Sequence, residues 1–365
     1  MKIIVAPDSY KGCLSVREVA GVISETIRET SPDAEIITIP LADGGEGTVE
    51  ILREALGGKI QTVTVTDPLG RKVQAKYALK GDTAIIEVAE ACGMKLLRKE
   101  ELSPLKASTR GVGELLIAAR ESGANHLIIG LGGTATCDGG EGMMTVPGIR
   151  EALKGARIEL LSDVDNPFTG KDGAARVFAP QKGATGADID ILEHRLTQIA
   201  QRIIKETGRD ITALPGAGAA GGLGGALAGW FGATITSGID RILDLVRFDE
   251  RIQGADLIIT GEGRSDLQTL HGKVPMGVLR RAGGIPVTLL SGRIDAKAEL
   301  LEAGFSRLIE VTPREMPLPL ALRPEVAIRN IRAALCHLGF PSFVISNEVE
   351  KSRFLLLIQK KALHL

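Results

Sequence analysis

Short apolar segments alternate with amphipathic segments toward both ends of the chain. The apolar segments are rich in β-branched side chains, which predicts buried strands at 2–6, 35–40, 257–260, 286–291 and 307–311. Residues 16–29 and 48–56 instead repeat apolar side chains at helical spacing, and Ser15 with Glu18 forms a capping-box pattern before the first of these helices. Strands and helices that alternate in this way predict an α/β fold, with parallel strands and helices on both faces of a sheet.

The pattern changes after Gly58, where β-type segments follow one another with only short turns between them. Pro68 and Gly70 occupy the first turn, as expected for a tight reversal. The pattern predicts an antiparallel meander over 61–66, 72–80 and 83–89. The further elements predicted here are helices 111–123 and 188–206 and strands 126–131 and 158–162.

The length of 365 residues predicts two domains, since a single core rarely grows beyond about 250–300 residues. We predict a discontinuous first domain, residues 1–60 with 255–340, because strand–helix alternation resumes near the end of the chain. The second domain, 61–254, is inserted into it. Residues 341–365 show no clear link to either domain; a poorly ordered extension is favoured, and a terminal strand is the alternative.

Composition limits the possible partners. Lys and Arg number 44 against 45 Asp and Glu, and aromatic residues make up 3%, so no nucleic-acid surface is indicated. The five histidines are scattered, which disfavours a zinc site, and the four separated cysteines indicate reduced thiols. No apolar segment reaches the length of a membrane span. We expect a cytoplasmic protein that binds small molecules, as a monomer or a homodimer.

Residues 260–275 combine opposed charges with glycines directly after a predicted strand. Glu262 and Asp266 supply carboxylates, whereas Arg264, His271 and Lys273 supply cationic or titratable groups. Such a mixture on flexible backbone suits a site that holds anions and a cation together. It indicates phosphoryl transfer, in which catalysis consists mainly of positioning and charge neutralisation.

Two more loops at predicted strand ends carry charges. Asp8, Ser9 and Lys11 follow the first strand, where loop charges often line a site. The loop after the second strand precedes a helix, so its backbone amides could face a ligand; a plain glycine turn with an acidic helix start is equally compatible. This loop consists of Asp43, Gly44, Gly45 and Glu46.

The segment 130–142 suits a phosphate cradle, because glycine amides and threonine hydroxyls can surround an anion. Asp138 in the same segment could hold Mg²⁺ through oxygen, although a glycine-rich crossover without a ligand is the alternative. The cradle candidates are Gly132, Gly133, Thr134 and Thr136. Isolated polar candidates near other strand or helix ends are Asp163, Lys182, Thr109 and Arg110.

Gly216, Gly218 and Gly221 match the G-x-G-x-x-G pattern of dinucleotide-binding folds. That pattern needs a preceding strand and a later acidic residue, but the segment before Gly216 is short and ends in proline. Asp240 is near the required distance, within a segment interpreted as a loop. A glycine-lined helix start, which includes Gly222 and contacts phosphate or a neighbouring helix, is favoured. An NAD(P)-dependent oxidoreductase is the alternative.

Taken together, these segments resemble the bacterial glycerate kinase family over about residues 1–310. The resemblance implies phosphorylation of D-glycerate to 2-phosphoglycerate by ATP with Mg²⁺. It also implies a flavodoxin-like domain and a mixed α/β domain that resembles restriction-endonuclease cores. The segments, in order, are APDSYKG, ADGGEGT, TRGVGE, GGTATCDGG, DVDNP with PQKGA, PGAGAAGGLGG, and TGEGRSD followed by HGKVP.

Phosphoryl transfer assigns roles by chemistry to the candidate residues. Cationic side chains would neutralise the transferring group, and Asp163 or Asp266 would orient or deprotonate the hydroxyl. Asp138 and Glu262 are the metal-ligand candidates, and Arg110 suits the substrate carboxylate. The catalytic candidates are Lys11, Asp163, Lys182, Arg264, Asp266 and Lys273. The substrate-binding candidates are Asp8, Ser9, Asp43, Gly44, Gly45, Glu46, Thr109, Arg110 and His271. The nucleotide-binding candidates are Gly132, Gly133, Thr134, Thr136, Gly216, Gly218, Gly221 and Gly222.

Three features depart from the family's pattern. Residues 144–157 are shorter than the family's segment between its GGxGM and DVxNP motifs. Cys137 stands where the family often has Asn, and the tail after Leu338 is unlike the family's ending. Because the shortened segment adjoins the glycine-rich loop, a protein that binds glycerate or nucleotide without turnover is a second alternative.

Overall fold

The computed structural model of the protein describes residues 1–336, so the predicted tail, 341–365, lies outside the described residues. The strands are β1 (Lys2–Val5), β2 (Glu35–Thr38), β3 (Lys59–Thr66), β4 (Lys72–Lys80), β5 (Thr83–Glu87), β6 (His126–Gly130), β7 (Arg157–Leu161), β8 (Thr234–Thr236), β9 (Leu257–Thr260), β10 (Arg264–Ser265), β11 (Val287–Ser291), β12 (Arg293–Ile294) and β13 (Arg307–Glu310). The helices are α1 (Val16–Thr30), α2 (Thr48–Leu56), α3 (Ala89–Cys92), α4 (Arg110–Glu121), α5 (Glu141–Met144), α6 (Ile149–Leu153), α7 (Ala174–Phe178), α8 (Gly186–Thr207), α9 (Leu223–Phe231), α10 (Gly238–Leu245), α11 (Phe248–Arg251), α12 (Val274–Arg281), α13 (Lys297–Glu302), α14 (Leu318–Ala321) and α15 (Pro324–Cys336). The strands and helices predicted from the pattern are all present, with ends that differ by a residue or two.

The chain divides into two compact units. The first comprises Met1–Pro40, Glu250–Leu267 and the chain from Val278, and the second comprises Leu41–Asp249 and Gln268–Gly277. The predicted first domain extended to residue 60, whereas α2 belongs to the second unit because it packs on β4 and β5. The α/β class is confirmed in both units.

The first unit is built on a parallel sheet with the order β13-β11-β9-β1-β2. Counted along the chain, this is the 2-1-3-4-5 strand order of flavodoxin-like folds. α1 buries Val19, Ile23 and Ile27 at helical spacing and packs on α15. The predicted capping box is confirmed, since Ser15 Oγ accepts from Glu18 N and the Glu18 carboxylate accepts from Ser15 N.

The second unit contains a mixed sheet in which β3 to β8 lie side by side in chain order. β3, β4 and β5 form the predicted antiparallel meander, and β5 to β8 are parallel. The central strands are buried on both faces, and one of these faces packs with α4, α8 and α9 in one core. The carboxyl ends of β5 to β8 therefore meet at one edge, and the loops that follow these strands collect there.

Candidate active site

In the first unit, the strand order reverses between β1 and β9, since β1 pairs with β2 on its other side. Ligands of open α/β sheets bind outside the carboxyl ends of strands at such a switch point. Asp8 follows β1 and Glu262 follows β9, and the Asp8 amide donates to Gly261 O at 2.8 Å. Ser9 Oγ is buried here and has no hydrogen-bond partner among the described residues, while Lys11 is exposed farther along the loop.

Glu262 belongs to a buried chain of hydrogen bonds at this switch point. Ser265 Oγ donates to Glu262 Oε1 at 3.0 Å and shares a hydrogen bond with Ser291 Oγ at 2.7 Å. Tyr10 OH donates to Leu290 O at 3.0 Å, and burial, then the charge of Glu262, raises the pKa of Tyr10. Sequence reasoning missed both serines, although Ser291 stands at the end of a predicted strand and was detectable on that ground.

Arg264 and Asp266 lie on a tightly packed pair of loops. β10 pairs with β12 in parallel, and a Cβ on Gly292 would lie 2.4 Å from Gly263 O, so only glycine permits this approach. Arg264 is exposed, and its Nε lies 2.7 Å from Asp295 Oδ2 and 3.9 Å from Asp266 Oδ2. The guanidinium is therefore held near two carboxylates at the surface of the first unit.

In the second unit, the loop 43–46 rests on the ends of β6 and β7. Gly132 N donates to Gly44 O at 3.3 Å, and a Cβ on Gly44 would lie 2.8 Å from Leu161 O. A Cβ on Gly132 would lie 2.6 Å from Gly45 Cα. These glycines are required by backbone-to-backbone packing, and they bring the loop 43–46 and the glycine-rich loop after β6 together.

Asp163, directly after β7, has two oxygens in different surroundings. Oδ1 accepts from Gly238 N at 2.8 Å, Ile239 N at 3.3 Å and Ser237 Oγ at 3.1 Å, at the N-terminus of α10. Oδ2 is buried and has no hydrogen-bond partner among the described residues. Burial, then the charge of Asp43, raises the pKa of Asp163 to about 7. Such a carboxylate is suited to accept a proton at neutral pH.

Asp138 has a different environment, which does not suit the predicted metal ligand. Its Oδ2 accepts from Thr109 N at 2.8 Å, Thr109 Oγ1 at 2.9 Å and Gly142 N at 3.1 Å, and its Oδ1 accepts from Gly140 N at 3.2 Å. Burial raises the pKa of Asp138 against the effect of these hydrogen bonds. With its lone pairs used in this way, Asp138 joins the start of α4 to the glycine-rich loop. Thr109 is fully buried and takes part in the same structural contact.

Lys182 is a buried cation beneath the glycine-rich loop. Its Nζ donates to Thr134 Oγ1 at 3.0 Å and to Thr136 O at 2.7 Å, and burial lowers the pKa of Lys182. Gly133 has φ of +76° and its carbonyl accepts from Met94 N at 2.9 Å. The loop that was predicted to cradle phosphate is therefore fixed from below by Lys182 and from the side by the segment after α3.

The glycines of the G-x-G-x-x-G segment are accounted for by packing within the second unit. Gly221 has φ of +67°, and a Cβ there would lie 2.1 Å from Thr136 O. A Cβ on Gly218 would lie 2.4 Å from Pro167 O. The same tight packing holds for the rest of the group, so the nucleotide-binding role of these glycines stays a prediction. The group is Gly216, Gly218, Gly221 and Gly222.

The dinucleotide-binding interpretation fails on its structural context. The strand that precedes Gly216 in the described chain is β7, and a long helix, α8, separates them. Asp240 lies in α10 rather than in a loop, because Ser237 caps that helix by accepting from Asp240 N at 3.3 Å. A dinucleotide fingerprint needs the strand immediately before its glycines, so the match is fortuitous.

Arg110 and Glu46 are surface residues with partners of their own. Arg110 Nε lies 3.3 Å from Glu114 Oε1, and its Nη1 donates to Thr145 Oγ1 at 3.2 Å. Glu46 forms an exposed ion pair with Lys95. These contacts are compatible with a site at the edge of the second unit, and the substrate-binding roles of both residues stay predictions.

His271 and Lys273 lie in the segment Gln268–Gly277, which is part of the second unit. Lys273 O accepts from Gly277 N at 3.0 Å, and a Cβ on Gly277 would lie 2.4 Å from Ile239 Cγ1 of α10. Ile239 also donates its amide to Asp163, so the turn that begins at Lys273 packs on the helix that holds this acid.

The shortened segment 144–157 anchors apolar side chains in the core of the second unit. α5 and α6 both pack on α4, and Met143, Val146 and Ile149 are buried in the core of the second unit. A Cβ on Gly113 of α4 would lie 2.8 Å from Met143 O, which shows how closely these helices approach. The hydrogen bonds of Asp138 are therefore made in spite of the short connection.

Within residues 1–336, no group of three or more His, Cys, Asp or Glu side chains is arranged to hold a metal ion. Glu262 fits a metal only as a single carboxylate, which is sufficient for Mg²⁺ when phosphates supply other ligands. In the same part of the chain, no helix has the length and apolar character that crossing a bilayer requires.

Known proteins resemble this chain in sequence and in structure. The model of the glycerate kinase family matches residues 3–151 and 145–338. The glycerate kinase of Bacillus subtilis (strain 168) is 41% identical over 351 residues, covering 87% of this chain and 92% of that protein. The glycerate 2-kinase of Escherichia coli (strain K12) is 44% identical over 308 residues, covering 76% and 81%. A crystal structure described as glycerate kinase 2 from Salmonella typhimurium LT2 has a TM-score of 0.78 at 40% identity, covering 93% of this chain and 98% of that one.

The same comparisons bear on the short connection. An alignment of 351 positions that covers only 87% of a chain of 365 residues must include positions at which this chain has no residue. The two ranges matched by the family model overlap at 145–151, within the segment that is shorter than expected. Matches that extend over both units nevertheless show that the chain belongs to the glycerate kinase family.

Proposed function

We propose that this protein transfers the γ-phosphoryl group of ATP, supplied as its Mg²⁺ complex, to a hydroxyl of D-glycerate and releases 2-phosphoglycerate and ADP. The relatives named above support the reaction class, and the environment of Asp163 is the observation that carries the chemistry. A hydroxyl is a poor nucleophile, so the reaction needs a group that accepts its proton as the phosphoryl group arrives.

Asp163 is the proposed proton acceptor. α10 holds Oδ1 with two backbone amides, which fixes the direction in which Oδ2 points. With a pKa of about 7, the carboxyl group can take up a proton during the reaction and release it afterwards. Asp266 lies at the surface of the first unit with Arg264 and is the weaker candidate.

The charge on the transferring group must be neutralised. The proposed cations are Lys11, Arg264 and Lys273, whereas Lys182 is assigned to holding the glycine-rich loop, because its Nζ is already bonded to that loop. Glu262 is the acid that would hold Mg²⁺, which supplies charge neutralisation at the phosphates when bound. The loop 43–46 of the second unit is proposed to bind glycerate.

The test is an ADP-release assay with D-glycerate and Mg·ATP, with a parallel reaction that lacks glycerate. The product is then given to enolase alone, which accepts 2-phosphoglycerate and leaves 3-phosphoglycerate unchanged. We expect ADP release that depends on glycerate and a product that enolase dehydrates without a mutase.

Two outcomes contradict the proposal in different ways. ADP release without enolase-reactive product means that another hydroxyl is phosphorylated. No ADP release above the reaction without glycerate, combined with saturable glycerate binding, means that the protein binds without turnover. The core packing of the short connection argues against this second outcome.

A further inference from the structure

Glu87 is a buried carboxylate at the carboxyl end of β5, next to the loop 43–46 and outside it. Its side chain is 9% exposed, and its Oε1 accepts from Val49 N at 2.8 Å. The Gly47 amide contributes to the electrostatic environment of this carboxyl group and lowers its pKa. Glu87 therefore holds the first turn of α2 from a neighbouring strand.

α2 has no cap within its own sequence. Its N-cap residue, Gly47, has φ of 92° and provides no side chain, and Thr48 Oγ1 donates to Gly45 O at 2.8 Å. The first amides of a helix need acceptors, and the positive end of the helix dipole favours a negative charge. Glu87 meets both needs, directly after the loop in which Gly44 and Gly45 pack on the ends of β6 and β7.

We propose that Glu87 is a positioning residue, which holds the first turn of α2 and thereby fixes the loop 43–46 in the shape that binds glycerate. This inference rests on the proposed function, in which that loop contacts the substrate. Glu87 itself does not touch the reacting atoms; it acts through Val49 and the glycines that precede it.

The position is costly for stability, which is consistent with a functional reason for an acid there. Burial raises the pKa of Glu87 to about 7, and the charges of Glu90 and Glu46 act in the same direction. The hydrogen bond from Val49 opposes this shift. Glu46 is itself paired with Lys95. Because the folded pKa lies above the ordinary value of 4.5, stability is lost as the pH rises toward 7 and Glu87 ionises. A neutral side chain of the same shape would avoid that loss.

The experiment compares Glu87→Gln and Glu87→Ala with the control variant Glu50→Gln. Glu50 lies in the first turn of α2, the turn that Glu87 contacts from β5. Glu50 is exposed and pairs with Arg53, so its variant should behave as wild type. For Glu87→Ala we expect the KM for glycerate to rise about tenfold with kcat within about threefold, since a displaced loop weakens substrate binding. Glu87→Gln keeps an acceptor and should lie between Ala and wild type.

The pH dependence separates positioning from a general structural effect. In the wild type, the KM for glycerate should rise as the pH falls below about 7, because protonated Glu87 is a poorer acceptor for the Val49 amide. In Glu87→Gln this dependence should disappear, while the fall of kcat at low pH, assigned to Asp163, should remain. A KM in Glu87→Gln that follows the same pH curve as wild type overturns the proposal.

Hydrogen exchange of the peptide 42–52 gives a readout that does not need turnover. We expect faster exchange in Glu87→Ala, and protection by D-glycerate that needs about tenfold more ligand than in wild type. Unchanged exchange, or faster exchange with unchanged glycerate protection, overturns the proposal. If glycerate protects the wild type but no ADP is released, only the proposed reaction is overturned. If the wild type shows neither glycerate protection nor ADP release, the proposed reaction and the proposed role of Glu87 are both overturned.

Discussion

Replacing Asp163 by Asn should separate catalysis from folding. Asn keeps an oxygen that can accept from Gly238 N and Ser237 Oγ at the start of α10, but it cannot take up a proton. It also removes a negative charge beside Asp43. The variant should therefore lose turnover while its fold is kept or strengthened.

The size of the stability effect follows from the pKa of Asp163, which rises from 3.8 to about 7 on folding. One pKa unit corresponds to about 1.4 kcal/mol, so ionised Asp163 costs about 4 kcal/mol of folding free energy above pH 7. The pKa of Asp163 is higher in the folded than in the unfolded protein. The cost is therefore absent below pH 3.8, and the free energy of unfolding falls as the pH rises to about 7. The advantage of Asp163→Asn should grow over the same interval.

Both effects can be measured on one preparation. The single tryptophan, Trp230, is buried in the second unit together with Asp163, so its fluorescence in urea follows unfolding of the relevant unit. The ADP-release assay should show kcat lower by about 10²- to 10⁴-fold, the usual contribution of a general base. Asp165→Asn, at an exposed position two residues along, is the matched control and should retain wild-type kcat.

Two results would refute this reasoning. A kcat for Asp163→Asn within about tenfold of wild type removes Asp163 as the proton acceptor, because a base contributes more than that. A variant that is less stable than wild type at pH 8 shows that α10 needs a charged carboxylate at its N-terminus, so that the charge is stabilising there despite its burial.

Three further substitutions, with Gly186→Ala as a control for the first, test other parts of the second unit. Gly221→Ala should lower the free energy of unfolding in urea by about 2–4 kcal/mol, because its Cβ would lie 2.1 Å from Thr136 O at a φ of +67°. Gly186→Ala, at a helix start with nothing within 4 Å, should stabilise or be neutral within about 1 kcal/mol. Lys182→Met should lower kcat by about 10²-fold, as the glycine-rich loop loses its buried support; an unchanged kcat would contradict this. Lys273→Ala should lower kcat/KM for ATP by about 10²-fold, and a value within threefold of wild type would remove it from the site.

Elements with a local signal were predictable from the sequence. α1 has apolar side chains at helical spacing and a capping box, and the β3–β4 turn contains Pro68 and Gly70, so each is specified by neighbouring residues. The start of α9 was expected, as a glycine-lined helix start that includes Gly222, but its extent was not, because α9 is apolar or glycine at every position and leaves no periodicity to detect. α10 was taken for a loop because Ser237 and Gly238 are typical both of loops and of helix starts.

Long-range packing limits what the sequence alone can indicate. α2 was assigned to the first domain because it follows β2 in the chain, but its partners, β4 and β5, come later in the sequence. The glycines of 216–222 were candidate ligand contacts, because a sequence does not show which atom approaches a glycine. Here the atom is often another backbone oxygen, such as Thr136 O against Gly221. The pattern of glycines predicts that another group packs closely against the backbone, but it does not show whether that group is a ligand or another part of the chain.

The sequence also does not show which of the acids near strand ends are structural and which are catalytic. The hydrogen bonds of each carboxylate in the structure suggest how to distinguish them. Glu87 is buried, Asp138 and Asp163 are half-buried, and burial raises the pKa of each, so neither burial nor the pKa shift separates a structural acid from a catalytic one. The hydrogen bonds of the individual carboxylate oxygens do separate the two kinds of acid. Asp138 accepts from four donors and is held on both sides, whereas Asp163 places every donor on Oδ1 and leaves Oδ2 without a partner in the described chain. An unpaired buried oxygen costs stability, so it is retained where a substrate group supplies the missing donor. On that argument we propose Oδ2 of Asp163, directly after β7, as the reactive atom of the second unit.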